Sequence, residues 1–452
     1  MGTGLFSASN TAIPFAPACD IVEVNVQMPQ AEANGIAVLD AENKPVPMQI
    51  LSHDTNTQSF HLLLEPKDVP SMGYTVLHAV PGTRKVESDL KTTGTTMENS
   101  VLRVVVDPKT GCIDSLYDKQ SHFESIATGQ CGNLLQAFVD TPKEYDAWNI
   151  DPDFAKHGTD LTMAESVQLV EQGPVRSVVR VTRHWSKSTF VQDITLYAGM
   201  RRVDVVNDVD WHETHILLKA AFPLAASGPK ATFEIPYGTI ERPTTRNNSV
   251  EDAKFEVPAQ RWADLGDEAH GFSLINDSKY GYDVKGNVLR LSLLRSPIWP
   301  DPNADRGHQH FRYSLYPHAG TWRQADTVLH GYAFNYTLHA MQVEAHTGEL
   351  PPTHSFVTVQ PKNLVLTAMK KTEDGNGLIL RFYEWAGTKT NATITLPAGA
   401  TAAVTTNLME HTEGSPMTLS GDHVTIPVGP YSINTVRIDY SNRGVSFWQA
   451  QK

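Results

Sequence analysis

Along much of this chain apolar and polar residues alternate with a period of two. Val203, Val205, Val209 and Trp211 alternate with Asp204, Asp208 and Asp210. That spacing marks a strand with one face buried and one facing water. Val436, Ile438 and Tyr440 alternate in the same way with Arg437 and Asp439, and Leu378, Leu380 and Phe382 form a similar row. Leu289, Leu291 and Leu293 line one face of a further strand, and shorter strands are expected at Ile21–Val26 and Ser59–Leu64. The run Asp107–Gly111, with Pro early and Gly at its end, reads as a hairpin connection. Apolar stripes at helical spacing do not exceed about three turns. The strand–helix alternation of a parallel α/β barrel is not encoded here. The pattern predicts an all-β protein.

With 452 residues the chain has room for two or three domains. Three segments are expected. Residues 1–95 carry short strands and end in a Pro/Gly/Thr-rich join from Pro81 to Thr96. Residues 97–350 form one large strand-rich unit. Gly348–Ser355 reads as a linker, and residues 356–442 form a small antiparallel sandwich.

Charge and composition narrow the function. The formal charge is −13, with 19% charged and 40% hydrophobic residues. A groove that tracks phosphates needs a surplus of Lys and Arg, so nucleic-acid partners are not expected. No apolar run reaches the length of a membrane span, so no membrane partner is expected. The first residues lack the basic segment of a signal peptide. The three cysteines, Cys19, Cys112 and Cys131, have no metal-binding spacing. They are expected as small buried apolar side chains in a reducing compartment.

Several blocks resemble the carboxy-terminal β region of glycoside hydrolase family 38, the α-mannosidases, in the branch of cytosolic and fungal vacuolar enzymes. They are Asn99–Lys119, Glu144–Asp151, Asp210–Leu224, Phe233–Pro302, Phe311–Trp322 and Leu378–Gly387, in the family's order. The resemblance implies a galactose-mutarotase-like β-supersandwich flanked by smaller β-sandwich segments. For the whole enzyme it implies retaining hydrolysis of terminal α-mannosides, zinc as cofactor, a homo-oligomer, and a cytoplasmic or vacuolar location reached without a signal peptide. The family's catalytic machinery lies in an amino-terminal barrel whose first zinc ligands are a His-x-Asp pair. None of the 18 histidines here is followed by x-Asp. No nucleophile, acid/base or metal ligand is therefore assigned, and no bound metal is expected on this chain. The expected partners are the α-mannoside, the barrel and sister subunits, and the chain alone is expected to be inactive. Two other readings share the fold: a non-catalytic carbohydrate-binding or assembly protein, and an aldose epimerase.

The remaining candidates are binding residues. Arg295 continues the Leu289–Leu291–Leu293 row, which would turn its guanidinium toward the apolar side, where it needs a carboxylate. By resemblance it is also the arginine that reaches the sugar site. In Glu144–Asp151, Tyr145, Asp146 and Trp148 are expected sugar contacts, because aromatic rings stack on pyranose faces and carboxylates bind hydroxyls. The same aromatic ring could instead pack back onto the sheet. His212 and His215 are three apart, not the four of HExxH, and are expected to serve structural hydrogen bonds. His308 and His310 share a strand face and are expected as polar surface positions. Tyr237, Arg242, Arg246 and Arg261 are expected to dock the barrel or a neighbouring subunit.

Overall fold

The computed structural model describes residues 4–10, 20–28, 35–344 and 347–441. The chain forms two compact units: residues 87–335, and residues 1–86 together with 336–452. Every named strand pair is antiparallel. The all-β expectation holds, and the alternating rows fall on strands at Val203–Trp211, Val288–Arg295, Gly377–Glu384 and Ile433–Tyr440. The Asp107–Gly111 turn joins Leu102–Val106 to Ile113–Asp118 as a hairpin.

Residues 87–335 hold two large sheets and a smaller one. The nine-stranded sheet runs, in spatial order, through Ser166–Gln172, Arg176–Trp185, Ser188–Tyr197, Val203–Trp211, Gly307–Ala319, His270–Asn276, Trp262–Gly266, Lys230–Ile235 and Gly238–Pro243. The six-stranded sheet comprises β1 (Leu134–Val139), β2 (Gly158–Asp160), β3 (Ile216–Pro223), β4 (Val257–Pro258), β5 (Gly281–Lys285) and β6 (Val288–Arg295), in the order β2-β1-β3-β6-β5-β4. One continuous core takes Phe190, Ile194, Val205, Val209 and Phe311 from the first sheet and Leu135, Ala137, Leu218, Ala220, Leu289 and Leu291 from the second.

The other face of the six-stranded sheet is of a different kind. Register places Gln136 of β1 beside Lys219 of β3, and Phe138 beside Leu217. Asp283 of β5 lies beside Arg290 of β6, and Gly281 beside Ser292. These positions alternate with the core row, so they share the outer face. Two glycines make room on it. A Cβ on Gly281 would stand 2.6 Å from Glu256 Oε1, and one on Gly158 would stand 2.5 Å from the Phe138 ring.

A β-bulge decides where Arg295 goes. Lys219 pairs with Ser292, but the next residue, Leu218, pairs with Leu294, which leaves Leu293 as an extra residue. Leu293 and Leu294 are both buried, and Arg295, paired with Leu217, emerges on the outer face. The expectation that Arg295 points with the leucine row is therefore corrected. One inserted residue reverses the alternation.

The other unit contains a sheet of Gly4–Asn10, Ile36–Leu39, Gly73–Pro81, His339–Val343 and Thr353–Ser355, and a three-stranded sheet of Val22–Gln27, Met48–Asp54 and Ser59–Leu64. Two four-stranded sheets follow, with a core that includes Val359, Leu366, Leu380, Phe382, Ile394, Ile426, Val436 and Ile438. His339–Val343 pairs with Gly4–Asn10, and Thr353–Ser355 with Gly73–Pro81. His339–Val343 thus joins the first segment's sheet, and part of the expected linker, Thr353–Ser355, is a strand.

The cysteine expectation is also corrected. Cys112 and Cys131 form a disulfide across 19 residues, with Cα atoms 5.1 Å apart. The physical cause is local. Ile113 and Gly132 exchange both backbone hydrogen bonds, at 2.9 and 3.0 Å, which brings their neighbours together. Cys19 lies outside the described residues. No helix among the described residues is long and apolar enough to cross a membrane.

Candidate functional site

The four residues singled out from sequence gather at one rim of the six-stranded sheet, where β1, β3 and β6 end together. Beyond β1 the chain passes through Asp140, whose N–H donates to the His215 carbonyl at 2.8 Å, and His215 N–H donates to Ser296 O at 2.7 Å. The Glu144–Asp151 segment then folds as a tight turn. Tyr145 takes a left-handed backbone (φ 60°), and its carbonyl accepts from the Trp148 and Asn149 N–H groups at 2.8 and 2.9 Å.

Arg295 closes this turn from beneath. Its Nη1 donates to the Ala147 carbonyl at 2.9 Å and its Nη2 to the Asp146 carbonyl at 2.7 Å. Nη2 also meets the Asn149 carbonyl, and Nε pairs with the Asp140 carboxylate. Three loop carbonyls and one carboxylate occupy the guanidinium fork, whose rigid donor geometry suits such a clamp. The carboxylate that a part-buried Arg requires is thus Asp140. Burial raises the pKa of Asp140 and the neighbouring Asp146 charge adds to that, so the Arg295 pairing offsets only part of the shift.

Asp146 ties the turn to a second loop. Its Oδ2 accepts from the backbone N–H groups of Ile298 and Trp299 at 2.8 and 3.1 Å, and lies 3.2 Å from His215 Nε2. Burial opposes its charge, but these bonds prevail and hold the Asp146 carboxyl below its ordinary value. The remaining oxygens, Asp140 Oδ1 and Asp146 Oδ1, are buried and accept nothing among the described residues.

What the clamp presents to solvent is aromatic. Trp148 and Trp299 meet edge to face, with centroids 5.4 Å apart. They are 64% and 58% exposed, and Tyr145 is 63% exposed. Large rings this exposed, on a loop tied by so many bonds, form a preformed platform. Trp148 packs on another exposed ring and not back onto the sheet. Sequence reasoning missed Trp299, which was visible in Ser296–Pro302 as a Trp between prolines. His215 makes a structural hydrogen bond of the kind expected of it, with Asp146 as the partner that its spacing did not name.

Next to the rim the outer face holds a charge cluster that no local motif announced. Lys219, fully buried, donates to Asp283 Oδ2 at 2.7 Å and pairs with Glu256. Its ammonium lies 5.0 Å from the Phe154 ring centroid. Arg290 Nη1 reaches Asp283 Oδ1 at 2.9 Å, and its Nε reaches Gln136 at 2.8 Å. Burial works against the Lys219 charge, yet Asp283 and Glu256 prevail and raise its pKa. Desolvation raises the Glu256 pKa despite Lys219. Asp283 lies below its ordinary value, because Lys219 and Arg290 outweigh the cost of its burial.

The other candidates serve the fold. Glu213 accepts from Ser186 Oγ, Lys187 N–H and Ser188 Oγ at 2.8–2.9 Å, and His212 pairs with Asp210 at 2.8 Å. His308 and His310 both approach Asp208 Oδ1, at 3.3 and 3.0 Å. Arg261 forks onto Glu234, Arg246 donates to four backbone carbonyls, and Arg242 donates to the Pro258 carbonyl. These three arginines thus make bonds within the chain. Among the described residues no three His, Cys, Asp or Glu side chains stand together to hold a metal ion.

Residues 97–303 match the glycosyl hydrolases family 38 C-terminal domain, and residues 363–436 match the family 38 C-terminal beta sandwich domain. The chain carries the C-terminal domains of glycosyl hydrolase family 38. Similar proteins include alpha-mannosidase 2C1 of Homo sapiens, 33% identical over 379 residues, covering 81% of this chain and 36% of that protein. Alpha-mannosidase G of Dictyostelium discoideum is 33% identical over 356 residues, covering 75% of this chain and 32% of that protein. The chain thus spans about a third of the length of these relatives. In fold it is similar to an alpha-mannosidase from Enterococcus faecalis V583, with a TM-score of 0.78 at 16% identity, over 97% of this chain and 56% of that one.

Proposed function

We propose that this chain is the β region of a retaining α-mannosidase and supplies one wall of its sugar site. The observation that carries the proposal is the exposed Tyr145–Trp148–Trp299 platform, held in place by Arg295 and Asp146. Aromatic faces of this kind take the apolar face of a pyranose ring. Arg295 acts here as a positioning residue, since its donors are engaged with the loop and Asp140. The alpha-mannosidase names of the relatives support mannose as the sugar.

Hydrolysis with retention needs a nucleophile and an acid/base about 5–5.5 Å apart. Both roles fall to the family's barrel. The described residues offer no fit to the family's zinc. The full protein is proposed to be a homo-oligomer located in the cytoplasm or vacuole. Non-reducing mass spectrometry of the protein from cells tests the compartment, because a persistent Cys112–Cys131 disulfide argues against a reducing one.

An assay of the purified chain on an aryl α-mannoside, with and without added zinc, tests the division of labour. No turnover is expected. Metal-dependent turnover would mean that the catalytic groups lie within these residues.

A further inference from the structure

Beside the platform, on the outer face of the six-stranded sheet, lies a cavity of about 330 Å³. Its volume falls at the lower end of small-molecule sites, roughly 300–1,000 Å³. One wall is aromatic. Phe138 and Phe154 meet edge to face at 5.2 Å, and Phe255 lies 6.2 Å from Phe154. The other wall is charged, with Arg246, Lys285, Arg290, Asp252 and Asp283.

The charges do not cancel. Asp283 is engaged by both Lys219 and Arg290, and Glu256 is the second partner of Lys219, so those four groups balance. Arg246 is fixed by the carbonyls of Pro243, Thr245, Lys254 and Val284 and meets no carboxylate among the described residues. Lys285 is exposed, and its ammonium has no partner among the described residues. Against these two cations stands only Asp252. Arg290 Nη2 also donates to nothing among the described residues, since its Nε and Nη1 carry both of its bonds. The cavity therefore offers one uncompensated positive charge, free N–H donors and an apolar wall.

We infer that this cavity binds an anionic monosaccharide, its oxyanion toward Lys285, Arg246 and Arg290 and its ring against Phe138, Phe154 and Phe255. Charge-assisted bonds to a phosphate or carboxylate are the stronger kind, and aromatic rings accept the C–H face of a sugar. The Asp252 carboxylate remains as an acceptor for a hydroxyl. The site is separate from the Trp148 platform and does not require it.

Isothermal titration calorimetry on the full chain, with glucose 6-phosphate, glucuronate, glucose and inorganic phosphate as separate probes, tests the inference. Glucose 6-phosphate or glucuronate should bind, with glucose and inorganic phosphate each about tenfold weaker, as expected for one charge-assisted bond or one ring contact. Preference between the two anionic sugars identifies the oxyanion. Lys285→Glu, at an exposed position, should weaken binding about tenfold without moving the melting temperature. Phe255→Ala should weaken the sugar anions and leave inorganic phosphate unchanged. The inference is overturned if neither anionic sugar binds, if glucose binds equally well, or if Lys285→Glu has no effect. Inorganic phosphate binding as tightly as the sugar phosphate overturns it too, as an adventitious anion site.

Discussion

The two faces of the six-stranded sheet are made by the same strands and obey different physics. The inner face, with Leu135, Leu218, Ala220, Leu289 and Leu291, is apolar without exception along those rows and belongs to one continuous core. The outer face carries Gln136, Lys219, Asp283, Arg290, Ser292 and Arg295. Burial of apolar area stabilises the first at roughly 25 cal/mol per Å². The second depends on polar groups finding each other, and each unpaired member would cost free energy. The inner face fixes the fold, while the outer face builds the platform and cavity at one end of it.

The largest effect should come from breaking the outer face at its buried centre. Lys219→Ala leaves Glu256 without its cation and Asp283 with Arg290 alone, and should destabilise the protein by roughly 3–5 kcal/mol in denaturant unfolding. A loss no larger than that of a surface change would mean that charge pairing does not hold this face. On the inner face, Leu291→Ala should cost roughly 2–5 kcal/mol through lost transfer energy and the cavity left behind. It should leave the environments of Trp148 and Trp299 unchanged.

Arg295→Met separates the rim from the core. It removes the donors to Ala147, Asp146 and Asn149 and leaves Asp140 unpaired. About 1.5–3 kcal/mol should be lost, with faster hydrogen exchange concentrated in residues 144–151. Uniform loss of protection across β1 and β3 would contradict a local clamp. Trp148→Ala should cost less than about 0.5 kcal/mol, as expected for an exposed side chain, yet abolish any response to sugar.

The smallest effect concerns pH. The Asp146 carboxyl is held below its ordinary value of 3.8. A depressed folded-state value means that its contribution is full above the unfolded value and is lost as pH falls through the folded one. The Trp148–Trp299 signal in near-ultraviolet circular dichroism should stay constant from about pH 8 to about pH 5. It should change only in stronger acid. A transition near neutrality would contradict control by Asp146.

Legibility in the sequence follows the same division between faces. Rows such as Val203–Trp211 and Leu289–Leu293 declare themselves, because a face that packs on one core repeats every two residues. The outer face has no period. Lys219, Glu256, Asp283 and Arg290 meet through strand register, which their spacing in the chain does not encode. The Leu293 bulge carries no composition signal, so the side on which Arg295 emerges could not be read. Tyr145, Asp146 and Trp148 were singled out by resemblance and residue type; that Trp299 joins Trp148 depends on the Asp146 bonds to the next loop. The Cys112–Cys131 pair escaped notice because an odd cysteine count does not exclude one disulfide and one other thiol.

The most direct test of a sugar-facing platform is a titration of methyl α-mannoside into the full chain, followed through the indole N–H signals of its tryptophans. The expected result is saturable shifts at Trp148 and Trp299, lost in Trp148→Ala at an unchanged melting temperature. Shifts confined to other tryptophans, or none at saturating sugar, would contradict it.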